Sequence, residues 1–346
     1  MAVSRYVRVM VIASLLAAVA CSSGSTPAPA PSSPTPTAKP TPTPSPTPTP
    51  APTPKPTAPP LGSGISPFTG LGDAKPGPVL AVKIDNVRQA RPPSNLAQAD
   101  LVYVEPVEAG LSRMMAIFSS RLPNVVGPVR SARESDLHIL SQFGQPAFAY
   151  SGAKGTVLPL IADAPLFDVS PAHAGNAYDR HGDRPAPHNL YAEPLRLLSR
   201  APKASLAKDI GFRFGAAPAG GQPKNAYNVR YSAFTIGFRW NASAMRWNVS
   251  MDGKPIRDAA GPPATPATVV VQYAKIKGSR FKDAWGNVSP FVETVGTGRA
   301  LVLRDGRAYE GRWSRPTATA GTTFTTPAGQ SLPFATGQTW VVFAPA

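Results

Sequence analysis

A proline-rich tract near the N-terminus is the feature that most limits what this chain can fold into. Residues 22–60 hold 16 prolines in 39 positions, with no aromatic residue and only Lys39 and Lys55 charged. Such a segment lacks the apolar side chains that form a core, and repeated prolines favour an extended polyproline II path. At about 3.1 Å per residue, the tract could reach ~120 Å. We expect a disordered, semi-rigid stalk; a proline-rich ligand for a partner and a glycosylated stalk are the alternatives.

The residues before the tract have the pattern of an export signal. Arg5 and Arg8 precede an apolar run over residues 9–20. This run is too short to cross a bilayer, because a spanning helix needs about 20 apolar residues. A basic start followed by a short apolar segment is typical of a signal peptide, which we assign to residues 1–20.

The only cysteine of the chain, Cys21, directly follows that apolar run. The small residues Ala18-Val19-Ala20 before it resemble a bacterial lipobox, with Ala18 standing where leucine is usual. The resemblance implies that Cys21 is lipidated, with palmitate among its acyl chains, and becomes the mature N-terminus. Several acyl chains hold a protein firmly on a bilayer. We therefore expect residues 21–62 to form a lipid-anchored linker on the extracytoplasmic face of the cell membrane. The alternative is an ordinary secretory signal cut near Cys21.

The charge balance is strongly basic, with 35 Lys and Arg against 19 Asp and Glu and a formal net charge of +16. An exported protein does not meet nucleic acid as its routine partner, so we expect none. Anionic envelope polymers, lipid headgroups and the carboxylates of wall peptides are the partners that such a charge would attract. Solubility alone is the alternative explanation. A single cysteine also excludes an intrachain disulfide and any site that needs two thiolates.

Residues 63–205 alternate apolar segments of strand length with helical patterns, which predicts an α/β domain in which helices are layered on a sheet. Ser131 and Glu134 have the spacing of a capping box, which predicts a helix start at Ser131. The predicted strands cover residues 79–84, 101–104, 111–118 and 147–150, and the further helices cover residues 156–162 and 193–200.

Residues 225–346 change to short strands separated by turn signals, which predicts a smaller β-rich domain. Asp252-Gly253 and Asp305-Gly306 are dipeptides typical of β-hairpin turns. All five tryptophans lie in this part, so we expect its core to rely on aromatic area. The tryptophans are Trp240, Trp247, Trp285, Trp313 and Trp340.

Several short strings between residues 66 and 346 form a recognisable set. They are Lys83-Ile84-Asp85-Asn86, Ala90-Arg91-Pro92, Gln98-Ala99-Asp100, Gly127-Pro128-Val129-Arg130-Ser131-Ala132-Arg133, Pro187-His188-Asn189-Leu190-Tyr191, Val295-Gly296-Thr297-Gly298-Arg299-Ala300 and Gly311-Arg312-Trp313-Ser314. Together they resemble the YerB-like bacterial lipoproteins, a family defined by a domain of unknown function. The resemblance implies an anchored envelope protein with an α/β part followed by a β-rich part. It implies no reaction and no cofactor.

Most candidate ligand-binding residues lie in these strings, and Arg113 of the predicted strand at residues 111–118 is added as part of the same face. Asp85 and Asn86 follow a buried strand, where α/β sheets usually carry binding groups, although an Asx turn is the alternative. Arg130 and Arg133 could fork onto an external carboxylate or phosphate, or pair internally with acidic residues of the fold. The full candidate set is Asp85, Asn86, Arg113, Arg130, Arg133, His188 and Asn189, with Asp85, Glu105, Glu108 and Asp136 as the internal partners of the arginines.

A catalytic alternative uses acidic residues and a histidine. Glu105 and Glu108 invite a paired-carboxylate hydrolase interpretation, and His188 could shuttle a proton near neutral pH. We predict no metal site, because the histidine spacings match no compact zinc motif. The favoured function is an envelope lipoprotein that binds an anionic cell-wall component or an envelope protein. The alternatives are a cell-wall hydrolase or transferase and a scaffold that joins an envelope assembly through its β-rich domain. Sequence leaves the oligomeric state open.

Overall fold

Strand β1 (Leu80–Asp85) lies inside the main sheet and is buried along its whole length, as its nearly continuous apolar sequence predicts. The computed structural model describes residues 64–72, 76–282 and 286–346, which all belong to one compact unit. The predicted signal peptide, Cys21, the proline-rich stalk and Trp285 lie outside these residues.

The first half of the described chain contains short helices between its strands. Its further strands are β2 (Leu101–Pro106), β3 (Ser112–Phe118), β4 (Ala147–Ala149), β5 (Phe167–Asp168), β6 (Tyr178–Arg180) and β7 (Leu190–Ala192). Its α-helices are α1 (Glu134–Leu140), α2 (Leu158–Asp163), α3 (Pro171–Ala174) and α4 (Pro194–Ser199). Its 3-10 turns cover Arg88–Ala90, Leu96–Gln98, Glu108–Gly110, Ser141–Phe143 and Gly175–Ala177.

The second half is built from strands. They are β8 (Gln222–Pro223), β9 (Ala226–Arg230), β10 (Thr235–Asn241), β11 (Arg246–Met251), β12 (Lys254–Pro255), β13 (Thr268–Ala274), β14 (Ile276–Lys282), β15 (Val288–Val292), β16 (Gly296–Arg304), β17 (Arg307–Arg315), β18 (Thr323–Thr325) and β19 (Thr339–Pro345).

One mixed sheet of 11 strands joins the two halves. Its order is β18-β17-β16-β13-β19-β2-β3-β1-β4-β5, with β8 paired beside β17. The C-terminal strand β19 pairs in parallel with both β13 and β2, and so connects the strands of the second half to those of the first. A separate four-stranded sheet has the order β12-β11-β10-β9.

The expected helices layered on a sheet are confirmed only in part. The four α-helices have four to seven residues each, and strands dominate the described chain. The predicted helix start at Ser131 is wrong, because α1 begins at Glu134 and the Asp136 carboxylate accepts a hydrogen bond from the backbone N–H of Arg133 (2.6 Å). The residues before it stay extended, since the N–H of Arg130 donates to the carbonyl of Lys83 (2.8 Å).

Both predicted hairpin turns are confirmed. Asp252-Gly253 joins β11 to β12 and Asp305-Gly306 joins β16 to β17. All four residues have positive φ, between 51° and 77°, the left-handed conformation that this dipeptide tolerates best. Trp247 and Trp340 are fully buried, in agreement with an aromatic core in this half. Within the described residues, no helix has both the length and the apolar character that crossing a membrane requires.

Candidate functional site: a basic cleft over Asp85

The base of the candidate functional site is a group of charged side chains on one buried face of the main sheet. Asp85 at the end of β1 lies opposite Arg113 on β3, which lies opposite Glu105 on β2. Residues directly opposite each other point to the same face, and Lys83, two positions before Asp85, points there too. Four ionisable groups are therefore buried together. Buried charges are stable only when they are paired.

Lys83 is paired on this face by two carboxylates. Its ammonium contacts Glu105 and lies 2.6 Å from Oδ1 of Asp136 on α1. The side chain is fully buried, and this burial lowers the pKa of Lys83 to about 8 although Asp136 opposes the shift. The cluster therefore ties α1 to the strand that carries Asp85.

Arg133 is paired with Glu108 through a bidentate contact. Its Nε and Nη2 donate to the two carboxylate oxygens over 2.7 and 2.8 Å. Ser289 of β15 donates to the same carboxylate. Burial acts to raise the pKa of Glu108, but hydrogen bonds and charge from Arg133 outweigh burial and lower it. Arg133 thus takes the internal pairing that the sequence left open.

Asp85 is contacted by three groups from three parts of the chain. Its Oδ2 lies 2.8 Å from Nδ1 of His188 and 3.2 Å from Nε of Arg130, and its Oδ1 lies 3.4 Å from Nε of Arg113. Oδ1 also accepts a long hydrogen bond from the N–H of Val87 (3.4 Å), as an Asx turn requires. Burial lowers the pKa of Arg113 to about 10, although Asp85 opposes this shift. Asp85 therefore serves as a turn residue and as the centre of a cationic cluster.

Backbone pairing brings Arg130 to Asp85. The N–H of Asp85 donates to the carbonyl of Pro128 and the N–H of Arg130 donates to the carbonyl of Lys83, each over 2.8 Å. The segment around Leu190 lies on the other side of residues 128–130, because the N–H of Val129 donates to the carbonyl of Leu190 (2.6 Å). The quoted strings around residues 83–86, 127–133 and 187–191 therefore lie side by side.

A loop between β6 and β7 brings His188 to the same point. These strands pair antiparallel, with Arg180 opposite Leu190, so residues 181–189 form the loop. Arg184 in this loop donates a hydrogen bond to the carbonyl of Ala90. This contact folds the loop back toward the end of β1.

A cleft of about 720 Å³ lies above the cluster. Its lining includes Arg113, Arg130 and His188 of the cluster, and Leu111, Ala233 and Asp252. The remaining lining residues are Val87, Arg88, Gln89, Arg91 and Pro187.

The cleft has a positive charge excess. Four guanidiniums, those of Arg88, Arg91, Arg113 and Arg130, face it with only Asp252 on its wall and Asp85 beneath as carboxylates. Among the described residues, Nε of Arg130 is buried beside Asp85 without a hydrogen bond, and the side chain as a whole is 19% exposed. Its exposed part is able to contact an anionic group in the cleft.

The other predicted binding residues act around the cleft rather than in it. The side-chain amide of Asn86 donates to Oγ of Ser112 (2.8 Å), and the backbone carbonyl of Asn86 accepts a hydrogen bond from Nη2 of Arg91 (2.8 Å). Asn189 donates to the carbonyl of His181 (2.8 Å), and Arg133 is held by Glu108. None of these three lines the cleft.

Arg88, Arg91 and Asp252 are cleft residues that sequence reasoning did not select. Arg91 was visible within the string Ala90-Arg91-Pro92, but only as part of a pattern. Asp252 was visible only as a turn residue. Its ion pair with Arg91 (2.8 Å) joins positions 161 residues apart, and no local pattern predicts such a contact.

The carboxylates of the catalytic alternative are not in the cleft. Glu105 and Glu108 are 1% and 6% exposed, and each is held by a cation or hydroxyl of the fold. His188 does line the cleft, with its Nδ1 on Asp85. Among the described residues, no group of three potential metal ligands is clustered.

Comparison with protein families supports the resemblance seen in the sequence. Residues 68–207 match the N-terminal domain model of the proteins of unknown function DUF3048, and residues 227–341 match the C-terminal domain model. The chain belongs to the DUF3048 family. The family is one of unknown function, so the geometry of the cleft is what informs the chemistry of this DUF3048 protein.

Two comparisons place this DUF3048 protein beside a relative in Bacillus subtilis. The protein named "Putative lipoprotein YerB" in strain 168 is 26% identical over 279 residues, which cover 77% of this chain and 81% of the relative. A crystal structure of YerB from Bacillus subtilis aligns with a TM-score of 0.69 and 22% identity, covering 82% of this chain and 97% of the other. The structural match shows a shared fold.

Proposed function

We propose that this protein is a lipid-anchored envelope protein whose cleft over Asp85 binds an anionic component of the envelope. The observation that carries the proposal is the convergence of Arg113, Arg130 and His188 on one buried carboxylate at the base of the cleft. One Asp85 carboxylate balances one of the two guanidiniums, so the base of the cleft keeps a positive excess. Arg88 and Arg91, which also line the cleft, both form their ion pair with the same carboxylate, that of Asp252.

The chemistry of the cleft favours phosphate or carboxylate groups as ligands. Arginine presents a planar fork that donates two parallel hydrogen bonds to either group, and such charge-assisted bonds are strong in a partly desolvated site. Arg113 is 5% exposed, and its buried guanidinium is held in place by the carbonyl of Ser112 (2.9 Å) and by Asp85. The site is therefore preorganised. Anionic cell-wall polymers, wall-peptide carboxylates and acidic envelope proteins carry the groups that fit.

The proposed anchor rests on the N-terminal sequence and on the relative's name. Cys21 follows a short apolar run, and the relative in Bacillus subtilis is named as a lipoprotein. Replacing Cys21 with serine removes the sulfur that acylation requires. We expect Cys21→Ser to move the protein from the membrane fraction to the soluble fraction, while retention in the membrane would contradict the proposed anchor.

Retention on purified cell wall tests the binding proposal. We expect Arg130→Gln to lower retention strongly, because it removes a cleft cation without adding a charge or bulk. Lys203→Gln is the matched control, since Lys203 is exposed and does not line this cleft. Equal retention of wild type, Arg130→Gln and Lys203→Gln would exclude the cleft as the binding site.

A second candidate function, a cell-wall hydrolase or transferase, is favoured by one contact. Oδ2 of Asp85 lies within hydrogen-bond distance of Nδ1 of His188 (2.8 Å). A carboxylate in that position orients an imidazole so that Nε2 can act as a base. Incubation with wall material followed by mass analysis of released products tests it. Products that disappear with His188→Gln would support catalysis, and no turnover by the wild type would exclude it.

A further inference from the structure

A second cavity adjoins the cleft over Asp85. It has a volume of about 620 Å³ and shares Arg88, Arg91 and Asp252 with the cleft. Beyond these shared residues it is lined by the β11–β12 hairpin and the segment after it, including Lys254 and Arg257. The two cavities therefore meet at the shared residues, which we call the neck.

The neck carries a net positive charge, so it does not repel an anion. Nη1 of Arg91 and Nε of Arg88 lie 2.8 and 3.4 Å from the same oxygen of Asp252. Two guanidiniums thus oppose one carboxylate. The side chain of Arg88 is 80% exposed, so it can swing toward a ligand without breaking packing. An anionic chain can cross the neck without meeting an unpaired carboxylate.

The end of the second cavity that lies outside the neck adds two exposed cations. Lys254 and Arg257 line it, and neither forms an ion pair with a residue that the structure describes. The neighbouring carboxylate of Asp258 is engaged elsewhere, because it accepts hydrogen bonds from the backbone N–H groups of Asn95 (2.7 Å) and Leu96 (3.0 Å). The positive charge of this end is therefore available to a ligand.

We propose that the two cavities form one groove that binds an extended polyanion, with one anionic group over Asp85 and others along the neck and at Lys254 and Arg257. This inference rests on the proposed function and names its ligand class. A small anion would use only the cluster at Asp85. A linear polymer gains from each further cation, because every contact releases counterions and the tethered groups bind at high effective concentration.

The experiment compares a polymer with its repeating unit, using the full mature protein in detergent. Poly(glycerol phosphate) and glycerol 3-phosphate are titrated by calorimetry at several salt concentrations, and poly-γ-glutamate tests carboxylate in place of phosphodiester. The variant is Lys254→Gln with Arg257→Gln. The control is Lys203→Gln with Lys208→Gln, which removes the same charge from exposed positions outside both cavities.

We expect the Lys254/Arg257 variant to bind the polymer roughly tenfold more weakly, with a salt dependence reduced by about 0.7 in log–log slope for each lost contact. Its affinity for glycerol 3-phosphate should equal that of the wild type, and the control should match the wild type for both. Preference for one polymer over the other identifies its anionic group.

Two results would overturn the inference, and they are distinguishable. If the Lys254/Arg257 variant binds the polymer like the wild type while Arg130→Gln loses it, the extended groove is excluded and the proposed function stands. If the wild type binds neither the polymers nor the monomer, both proposals fail.

Discussion

Nδ1 of His188 lies 2.8 Å from Oδ2 of Asp85, although 103 residues separate them in the chain. The same oxygen is 3.2 Å from Nε of Arg130. A histidine and an arginine therefore share one carboxylate oxygen at the base of the cleft. Removal of this carboxylate should affect both the stability of the fold and the charge of the site.

Asp85→Asn should lower the free energy of unfolding by about 3–5 kcal/mol, because it leaves the buried guanidinium of Arg113 without its counterion. Urea unfolding measures the loss. Asp179→Asn is the control, since this exposed carboxylate contacts only the neighbouring backbone, and it should stay within about 0.5 kcal/mol of the wild type. Equal stability of the two variants would contradict a structural role for Asp85.

Glu108→Gln should flatten the loss of stability in acid. Despite its burial, hydrogen bonds and charge from Arg133 hold the pKa of Glu108 below its ordinary value of 4.5. Its ionised form therefore contributes stability that is complete above pH 4.5 and is lost as the pH falls through the lower, folded-state pKa. Urea midpoints at neutral pH and at a series of acidic pH values measure the slope. Glu310→Gln, at an exposed position, should keep the wild-type slope; an unchanged slope in Glu108→Gln would refute the assignment.

Gly110→Ala should destabilise the protein more than Gly329→Ala. Both glycines have positive φ, 68° and 82°, so each alanine carries a backbone cost of about 1–2 kcal/mol. A Cβ at Gly110 would also lie 1.8 Å from Oγ of Ser232 and 2.9 Å from the backbone N of Ala233, whereas Gly329 has open space around it. Overpacking of this kind adds roughly 1–3 kcal/mol. Thermal or urea unfolding that ranks the two variants equally would contradict the close approach.

A double-mutant cycle on Arg91 and Asp252 should give a coupling energy of about 0.5–1 kcal/mol, since both side chains are partly exposed and water screens the pair. These side chains are 18% and 17% exposed. The pair joins the loop after β1 to the β11–β12 turn. The cycle on Arg88 and Asp252 is the internal comparison and should give a smaller value, because Arg88 is 80% exposed. A larger coupling for Arg88 would show that the neck is arranged differently in solution.

Local patterns predicted the strands and turns well. The apolar run at residues 79–84 became β1, and both Asp-Gly turns have the positive φ values that their sequence favours. The prediction of a helix start at Ser131 was wrong, because a backbone hydrogen bond from Arg130 to β1 holds the segment before α1 extended. That bond joins residues 47 positions apart, whereas the capping-box pattern considers only residues within one helical turn.

The sequence predicted only some of the residues of the candidate site, because long-range contacts also decide which side chains face the cleft. Asp85, Arg113, Arg130 and His188 were selected from motif strings and strand ends, and the fold brings them together. Arg133 and Asn189 came from the same strings but point to internal partners. Both Arg130 and Arg133 pair with an internal carboxylate, and residue type and local position do not specify that only Arg130 also lines a cleft.

The strand pattern, the turn positions, the basic balance and the proline-rich tract follow from the amino-acid sequence, because they depend on side-chain polarity, backbone preference and composition within a few residues. The fold was needed to show that β19 joins the two halves in one sheet, that Asp252 of a hairpin turn pairs with Arg91, and that the loop with His188 covers Asp85. Each of these contacts joins residues that lie far apart in the chain, and its stability depends on packing shared with its neighbours.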